Sequence, residues 1–419
     1  MRVKSLGLLI VFLTLSQLAI GQAAYKFFPW QYSPVGLQAV QVVGLGINGN
    51  GAIVGTVTPV GQPAAPVQGF YRSPQGAFSI VSFPPSLLGE PSGTVVSTYL
   101  LGINYQNEMI GTVADSPTGN LHAFILSALG GQFTIIDPPG QTTTLGLGLW
   151  VKNTGEMLGT GNAALSTDSY IRSPSGSYQF IACPTIPSST QNPLAFTSIN
   201  DHGNSVGTYH DPTTLMPHVF TRTAGGHCAL FTDPTGAVAT VAHAINDSGV
   251  VVGSYLDSTS NTHGFVWDPS IGFQIVDNGA TGTTLFSIDN EGVVLGQVGS
   301  GVTFYGAPLS TSSLGGPSSN NFGSVPVGQT SAPATIKFTN PGSEMIVLGV
   351  PTIPAPTGAV NGTFTIVSNG CPVILTAGQS CSLTVKMTAS AVGSISNVLQ
   401  LDSTATNAPS QVQLSGTGS

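Results

Sequence analysis

The chain has 419 residues, of which only 6% are charged and 41% are hydrophobic, and it contains 54 glycines and 30 prolines. This composition excludes typical disordered chains, which combine low hydrophobicity with high charge, and it predicts an all-β protein with many short strands and Gly/Pro turns. The net charge of −8, from 9 basic and 17 acidic residues, argues against a nucleic acid or an anionic membrane as a partner.

An export signal is the first element that the sequence predicts, at residues 1–23. Arg2 and Lys4 form a basic start, and an apolar stretch covers Leu6–Ile20. Small residues follow, which places cleavage after Ala23 or two residues earlier. The apolar stretch is short for a membrane span, and the sequence has no second one. We therefore expect a secreted or cell-surface protein without an integral membrane segment after cleavage.

Residues 24–310 contain one nine-residue pattern six times. The pattern is an apolar residue, a turn rich in Asn, Asp and Gly, and an apolar stretch that ends in Gly. The copies are Ile47–Gly55, Ile103–Gly111, Val151–Gly159, Ile199–Gly207, Ile245–Gly253 and Ile288–Gly296. Their start-to-start spacings of 56, 48, 48, 46 and 43 residues indicate a repeat architecture.

A second recurring half gives each repeat about four short strands. After the nine-residue pattern come a loop, an apolar strand such as His122–Leu126, a turn, and a last strand such as Gln132–Gly140. Four strands in roughly fifty residues are typical of a propeller blade. Because the sixth repeat lacks its last strand, we predict that Tyr25–Gly36 completes it and closes a six-bladed β-propeller.

The turn within the pattern could also be interpreted as a calcium loop. In the fifth repeat it is Asn246–Gly249, and Asp247 is its one acid. A calcium loop needs several oxygen ligands at alternating positions, and Val151–Gly155 contains no acid. Asn and Asp side chains instead bond their own turn, while Gly supplies a positive φ. We therefore interpret the motif as the hairpin turn between the first two strands of a blade.

The repeats, from about residue 38 to 308, resemble the HAF-repeat family of extracellular bacterial proteins. The segments that carry the resemblance are His122–Phe124, His218–Phe220 and His263–Phe265. The third repeat departs most, with Val151–Lys152 in place of Ile-Asn and Ser169–Ile171 in place of the His unit. The resemblance implies a repeat architecture and an extracellular location, and it implies no activity.

The C-terminal part of the chain changes character. Residues 311–321 are polar and rich in Gly and Ser, which predicts a linker. In residues 322–419 about seven alternating or apolar segments are divided by turns. This density of short strands predicts an immunoglobulin-like β-sandwich after the propeller.

Residues 322–419 also resemble the abnormal-spindle/hydin type of immunoglobulin-like domain, which is called choice-of-anchor D in bacterial surface proteins. The matching features are Phe322-Gly323, the segment Phe338–Gly342, the pair Cys371 and Cys381, and a closing Leu-Ser-Gly-Thr-Gly. Relatives often have an aromatic-x-Pro after the second Cys, where this chain has Met387–Ala389. The resemblance implies a surface role.

Four cysteines in an exported chain suggest disulfides. Cys371 and Cys381 flank a Thr-Ala-Gly turn, so we predict that two antiparallel strands bring them together as a disulfide. Closing so small a loop contributes roughly 2–3 kcal/mol. Cys183 and Cys228 either form a second disulfide or are two separate buried thiols.

A repeated pair of Asp and His is the feature most suggestive of chemistry. The pairs flank the loop between the second and third strands of three repeats: Asp115 and His122, Asp211 and His218, and Asp257 and His263. Strand alternation places these loops on the face opposite the Asn-Gly turns, which makes them candidate ligand-face residues. They could form a metal or acid–base site. The interpretation that we favour is a hydrogen bond that closes each loop.

We predict no catalytic residue, metal or cofactor, since the sequence has no Gly-x-Ser-x-Gly elbow, phosphate loop or dinucleotide fingerprint. We expect a non-enzymatic binding or surface-interaction protein whose propeller loops present a ligand face to a polysaccharide or a cell-surface protein. The immunoglobulin-like domain would then be a spacer or docking module. The alternatives are a carbohydrate-active hydrolase or lyase with its site on the Asp/His face, and a structural component of the cell envelope.

Overall fold

The computed structural model describes most of the chain after the predicted export signal. The described residues are 25–30, 40–59, 65–91, 94, 96–115, 119–136, 138, 147–160, 169–187, 194–278, 282–299, 301–356 and 360–419. Their regular structure is β-strand apart from one 3-10 turn at Pro85–Leu88. None of these residues belongs to a helix long and apolar enough to cross a membrane. Residues 31–36 of the predicted closing segment lie outside this part of the chain.

Each of the six repeats forms one four-stranded antiparallel sheet, here called blades one to six. The strands of blades one to three are Val40–Ile47, Ile53–Pro59, Gln68–Arg72 and Phe78–Val81; Ser97–Ile103, Met109–Ala114, Leu121–Leu126 and Phe133–Ile135; and Leu147–Val151, Met157–Thr160, Ser169–Arg172 and Tyr178–Ile181. Those of blades four and five are Ala195–Ile199, Ser205–His210, Pro217–Arg222 and Cys228–Leu230; and Ala237–Ile245, Val251–Asp257, Thr262–Asp268 and Gly272–Ile275.

Blade six takes its outermost strand from the opposite end of the chain. Its repeat supplies Thr283–Ile288, Val294–Val298 and Val302–Pro308. Tyr25–Pro29 pairs antiparallel with the last of these, and Phe28 stacks on Tyr305 with ring centroids 5.4 Å apart. The two ends of the propeller sequence therefore share one sheet, which removes an unpaired strand edge.

The first strand of each blade lies innermost, and the first strands of neighbouring blades contact each other all round the ring. Glycine allows this approach. A Cβ added at Gly46 would lie 3.1 Å from Leu101 O in the next blade, and one at Gly102 would lie 3.3 Å from Leu149 O. The architecture is therefore a closed six-bladed β-propeller.

The last glycine of every nine-residue motif lies opposite a buried aromatic residue on the third strand. The pairs are Gly55 and Phe70, Gly111 and Phe124, Gly159 and Tyr170, Gly207 and Phe220, Gly253 and Phe265, and Gly296 and Phe304. All six aromatic residues have 0% exposure. A Cβ added at Gly253 would lie 2.0 Å from Val241 O and 2.9 Å from the Phe265 ring. The glycine therefore makes the space that the ring fills.

The C-terminal unit, residues 311–419, contains two three-stranded sheets and a short two-stranded one. The strand orders are Ser319–Val325, Ser410–Gly418 and Gly393–Leu401; Ala334–Thr339, Ser380–Ala389 and Gly362–Asn369; and Ile346–Val347 with Ile374–Leu375. Both larger sheets contribute to one apolar core, which includes Phe338, Leu383, Leu399 and Leu414. The immunoglobulin-like character that the sequence suggests stays a prediction.

The segment that was predicted as a linker, residues 311–321, packs against the rest of the C-terminal unit. Leu314 is buried in the apolar core of that unit. Gly315 N donates a hydrogen bond to Thr339 O, and the first strand begins at Ser319. The segment is polar apart from Leu314, and the burial of this one apolar side chain holds the segment against the C-terminal unit.

Both cysteine pairs form disulfides. Cys371 and Cys381 lie on neighbouring antiparallel segments with their Cα atoms 4.7 Å apart. Cys183 follows the last strand of blade three, and Cys228 lies on the last strand of blade four, with Cα atoms 5.7 Å apart. The second disulfide therefore ties together the outer strands of two neighbouring blades.

We predict that Gly253→Ala destabilises the propeller. The added methyl group would clash with both the Val241 carbonyl and the Phe265 ring, and overpacking of this kind costs about 1–3 kcal/mol. Gly301→Ala is the matched control, because a Cβ there meets no atom within 4 Å. Chemical denaturation measures both variants, and equal stability of Gly253→Ala and the wild type would contradict the proposed packing.

We also predict that the two disulfides differ in their contribution to stability. Chain entropy assigns about 4 kcal/mol to closing the loop between Cys183 and Cys228 and about 3 kcal/mol to the shorter loop between Cys371 and Cys381. The sequence separations are 45 and 10 residues. Calorimetry of the two double Cys→Ser variants should show two lowered transitions, with the larger loss in the propeller variant. An unchanged propeller transition would show that the inter-blade disulfide does not constrain the unfolded chain.

Candidate functional site

In blade five the predicted Asp and His belong to one hydrogen-bonded row of three side chains. His263 Nε2 lies 3.3 Å from Asp257 Oδ2, and His263 Nδ1 lies 2.7 Å from Asp277 Oδ2. Asp257 Oδ1 also accepts hydrogen bonds from the backbone N–H groups of Thr259 and Asn261. The row therefore connects the loop after the second strand to the end of the last strand.

These contacts also shift the pKa values of Asp257 and His263. Hydrogen bonds, first of all from Asn261 N–H, hold the pKa of Asp257 below its usual value. Burial lowers the pKa of His263, but its hydrogen bonds to Asp277 and Asp257 outweigh burial and raise the pKa overall. The protonated imidazole thus stabilises the fold fully below pH ~6.5, and this contribution is lost as the pH rises through the raised pKa.

The other two predicted pairs differ from each other. In blade two, His122 Nε2 lies 3.7 Å from Asp115 Oδ2. In blade four, His218 Nδ1 lies 2.6 Å from Asp233 Oδ2. Asp211 does not hydrogen-bond to that ring in the described part of the chain, and it accepts instead from N–H groups of its own loop. The structure therefore brings together two of the three predicted pairs.

Sequence reasoning missed Asp233 and Asp277, which bond to the histidines from the end of the fourth strand. A signal for them was present, because the three repeats that have the histidine also have an Asp just after the last strand: Asp137, Asp233 and Asp277. Asp137 itself lies outside the described residues. Among the described residues no group of three or more His, Cys, Asp or Glu side chains could hold a metal ion.

On the opposite face, the Asn-Gly turns form a hydrogen-bonded ring. Asn48 illustrates the pattern, since its Oδ1 accepts from the N–H groups of Asn50 and Ala52 in its own turn. Its Nδ2 donates to the next blade. The bonds between blades are Asn48 to Asn104 O at 2.8 Å, Asn104 to Lys152 O at 3.0 Å, Asn200 to Asn246 O at 2.9 Å, and Asn246 to Asp289 O at 3.0 Å. One side chain thus closes its own turn and ties it to the next.

The residue after this Asn makes a second set of bonds between blades. The N–H groups of Tyr105, Asn153, Asp201 and Asp247 donate to the side-chain Oδ1 atoms of Asn153, Asp201, Asp247 and Asn290, at 2.7, 2.8, 2.7 and 2.9 Å. The acidic oxygens of these turns therefore bond to neighbouring blades. This geometry supports the interpretation of the motif as a structural turn.

Blade one interrupts the second set because it has Gly49 at this position. The Tyr105 hydroxyl passes over the gap and lies 2.6 Å from Glu291 Oε1 of blade six. A Cβ added at Gly49 would lie 1.8 Å from the Tyr105 Oη atom. The glycine thus permits a bond between blades two and six. The space enclosed at this end of the channel is about 50 Å³, which is enough for a few water molecules and too little for a sugar ring.

Further along the channel, every first strand has a β-bulge at the same register. The residues left out of the ladder are Leu45, Leu101, Leu149, Thr197, His243 and Phe286. A bulge reorients the side chain of the extra residue. The rings of His243 and Phe286, on neighbouring blades, have centroids 5.6 Å apart. Burial lowers the pKa of His243 to about 4, so its ring is neutral at neutral pH.

Asp289 replaces the Asn of the turn in blade six, as Lys152 does in blade three. Its Oδ1 accepts hydrogen bonds from Glu291 N and Val293 N, as the Asn side chain does in other blades. Its Oδ2 is buried and has no partner among the described residues. Burial, followed by the charge of Glu291, raises the pKa of Asp289 well above its usual value. By the repeat symmetry, Oδ2 takes the place of the amide nitrogen that donates to the next blade.

A cavity of about 540 Å³ lies between the propeller and the C-terminal unit. Its propeller side belongs to blades six and one and presents Trp30, Arg72, Phe78 and Tyr305. Its other side comes from the C-terminal unit and includes Val350, Pro351, Ile366 and Pro372. Sequence reasoning did not identify this cavity, because its walls come from segments nearly three hundred residues apart.

Direct bonds between the two units fix the walls of this cavity. Tyr305 Oη donates to Leu348 O at 2.8 Å, and burial raises the pKa of Tyr305 to about 12. Val373 N donates to Pro74 O at 2.9 Å. The bonds between the units continue with Asn369 to Gln75 O at 3.0 Å and an ion pair of Lys26 with Asp402. The C-terminal unit is therefore docked firmly on blades six and one.

No family model matches the chain, and no curated protein is significantly similar to it. The resemblance to the HAF-repeat and choice-of-anchor D families therefore stays a prediction. Similar solved structures include virginiamycin B lyase from Staphylococcus aureus, with 10% identity over 68% of this chain and 99% of that one and a TM-score of 0.39. A lectin of Aleuria aurantia has 12% identity over 58% and 95% and a TM-score of 0.30. A Hadza microbial sialidase has 12% identity over 65% and 66% and a TM-score of 0.41. Likenesses this distant say nothing about a ligand or an activity.

We predict that Asp289→Asn stabilises the protein at neutral pH. Because the folded-state pKa of Asp289 is raised, its protonation stabilises the fold fully below pH ~4, and this contribution is lost as the pH rises through the raised value. An amide supplies the donor at every pH, which is worth about 1–2 kcal/mol. Thermal unfolding at pH 7.5 should show a clear gain that shrinks toward pH 4.5.

Asp201→Asn is the control for this prediction. The Asp201 carboxylate accepts hydrogen bonds from Asn153 N and from Asn153 Nδ2, and the single oxygen of an amide can keep only the first of these geometries. No gain is therefore expected from that variant. An equal gain from Asp289→Asn at both pH values would contradict the assignment of Asp289 as a protonated donor.

Proposed function

We propose that the protein is an exported, non-enzymatic binding protein and that the cavity between the propeller and the C-terminal unit holds its ligand. The observation that carries the proposal is the cavity itself, of about 540 Å³, with Trp30, Phe78 and Tyr305 on its walls. Small-molecule sites are typically cavities of roughly 300–1,000 Å³ with apolar and aromatic walls and a few polar groups. The residues of this cavity match that description.

The firm docking of the two units supports the proposal. Val347, Val373 and Ile374 of the C-terminal unit pack into one buried cluster with propeller residues that include Trp30 and Phe70. Walls held in this way do not need to be ordered when a ligand arrives, so little of the interaction free energy is lost on binding. In this proposal the C-terminal unit is part of the binding site rather than a spacer.

Export is part of the same proposal. It is supported by the signal-like sequence at residues 1–23 and by the two disulfides, which are typical of proteins outside the reducing cytosol. A polysaccharide is the partner class that we favour, because the half-buried Phe78 on the cavity wall offers an apolar surface on which a sugar ring can lie.

A hydrolase or lyase site on the Asp/His face is the less favoured alternative. In blade five both ring nitrogens of His263 already lie within bonding distance of carboxylates. Those contacts join parts of the same blade, as expected for a structural role. Release of reducing ends from a polysaccharide, abolished by Asp257→Ala, would overturn the non-enzymatic proposal.

The test is binding of the full protein to a panel of insoluble polysaccharides and cell-wall material. Val350 lines the cavity and is 52% exposed, so Val350→Trp should fill the cavity without disturbing the core. We expect retention of the wild type on at least one matrix and a loss of at least tenfold in apparent affinity for Val350→Trp. Soluble fragments of the retained polymer allow the same comparison by calorimetry.

The matched control is Val392→Trp, because Val392 is 74% exposed and lies outside the cavity lining. It should bind like the wild type. Undiminished binding by Val350→Trp would show that the cavity is not the site. A failure of the wild type to bind any matrix would contradict the polysaccharide assignment and favour a structural role in the cell envelope.

A further inference from the structure

We infer that the ligand of this cavity carries a carboxylate on a ring-shaped body, as in a uronic acid, and that Arg72 binds the carboxylate. The inference rests on the proposed function, since it names the chemical class of the ligand for the same site. It follows from the surroundings of Arg72, from the burial of the arginines at the same position in other blades, and from the hydrogen-bond donors and acceptors on the cavity walls.

Arg72 is a buried cation without an acidic partner. It is 4% exposed and lines the cavity. Its guanidinium carbon lies 5.8 Å from the ring centroid of Trp30 and 5.6 Å from that of Tyr305. The ion pairs of the described residues do not include Arg72, and its Nη1 has no hydrogen-bond partner there. A buried charge in this condition is costly unless an ion of opposite sign joins it.

The repeat provides an internal comparison. Arg172 and Arg222 also end the third strand of their blades, and their Nη1 atoms donate to the carbonyl oxygens of Ser173 and Thr223, each at 3.4 Å. Both side chains are half-buried. The docked C-terminal unit covers Arg72 more completely, and it presents no acid to that side chain. Arg172 and Arg222 also have a buried Nε without a partner among the described residues, so Arg72 is set apart by its deeper burial beside the cavity.

The cavity walls have two unpaired donors, and three of their carbonyl oxygens already accept hydrogen bonds. Trp30 Nε1 is buried and, like Arg72 Nη1, has no partner among the described residues. The wall carbonyls of Leu348, Pro74 and Gln75 already accept hydrogen bonds. Neither Asp nor Glu occurs among the residues that line the cavity, in a chain of net charge −8. A ligand rich in acceptors and negatively charged complements such walls.

The chemistry of the walls selects a carboxylate on a ring. A guanidinium presents parallel N–H groups that match the two oxygens of a carboxylate. Phe78, Val350 and Ile366 add apolar area that a small inorganic anion would not use. A uronic acid has both parts, and so does an aromatic acid such as benzoate. Direct comparison of the binding of these two ligands shows which of them supplies the carboxylate.

The experiment is isothermal titration of the full protein with D-glucuronate, D-glucose, benzoate and inorganic phosphate at constant ionic strength. We expect D-glucuronate to bind at least tenfold more tightly than D-glucose or phosphate. Arg72→Gln should reduce the affinity for D-glucuronate to that for D-glucose. Arg222→Gln is the matched control, because that arginine occupies the same repeat position away from the cavity, and it should leave binding unchanged.

Two further variants keep the test valid if Arg72→Gln does not fold, as judged by thermal unfolding. Arg72→Lys keeps the charge and loses the paired N–H groups, so it should weaken D-glucuronate binding by about tenfold. Val350→Trp should abolish binding by filling the cavity. If benzoate binds more tightly than D-glucuronate, Arg72 still binds a carboxylate, but the ligand is an aromatic acid and the uronic acid assignment is wrong.

The remaining outcomes separate this inference from the proposed function. Equal binding of D-glucose and D-glucuronate, lost in Val350→Trp, would support the cavity and overturn the anionic ligand. Binding of D-glucuronate that survives Arg72→Gln would overturn the role of Arg72. Phosphate binding as tight as that of D-glucuronate would overturn the ring-shaped body. If Val350→Trp changes the binding of no ligand, both the cavity and the inference fail.

Discussion

The propeller depends on one contact that recurs in every blade, in which a glycine of the second strand lies beneath an aromatic ring of the third. In blade five, the Phe265 ring occupies the space that a Cβ on Gly253 would need. The ring lies within the sheet, and the first strand of each blade contacts the first strands on both sides. Rings at six equivalent positions, each with 0% exposure, repeat the same packing in every blade.

Uniform blades bring the turns of neighbours within reach of one Asn side chain. Asn48 uses Oδ1 for its own turn and Nδ2 for the next blade, which requires the same displacement at each junction. Asp289 departs from this pattern in chemistry but not in position, and its buried, unpartnered Oδ2 accounts for its raised pKa. The ring of turns therefore has the same geometry in blade six, while the protonation of Asp289 makes its electrostatics different there.

Much of this architecture could be predicted from the sequence because its causes are local and repeated. The six turns, the strands that flank them and the need for a strand at Tyr25–Pro29 follow from patterns of nine to fifty residues. The partners of the histidines were harder to predict, because Asp277 lies fourteen residues from His263 and pairing depends on how the last strand returns. The cavity depends on docking between distant segments, and no local pattern encodes that contact. For the same reason Leu314, one apolar residue in a polar segment, was not recognised as an anchor.

The shared sheet of blade six also imposes an order on folding. Tyr25 pairs with Pro308, so the strand that emerges first during synthesis waits for a partner that is made roughly 280 residues later. Closing so long a loop is entropically costly and slow. Until then, the third strand of blade six has a free edge that can pair with other chains. The protein is therefore exposed to aggregation at this edge until the two ends of the propeller sequence have paired.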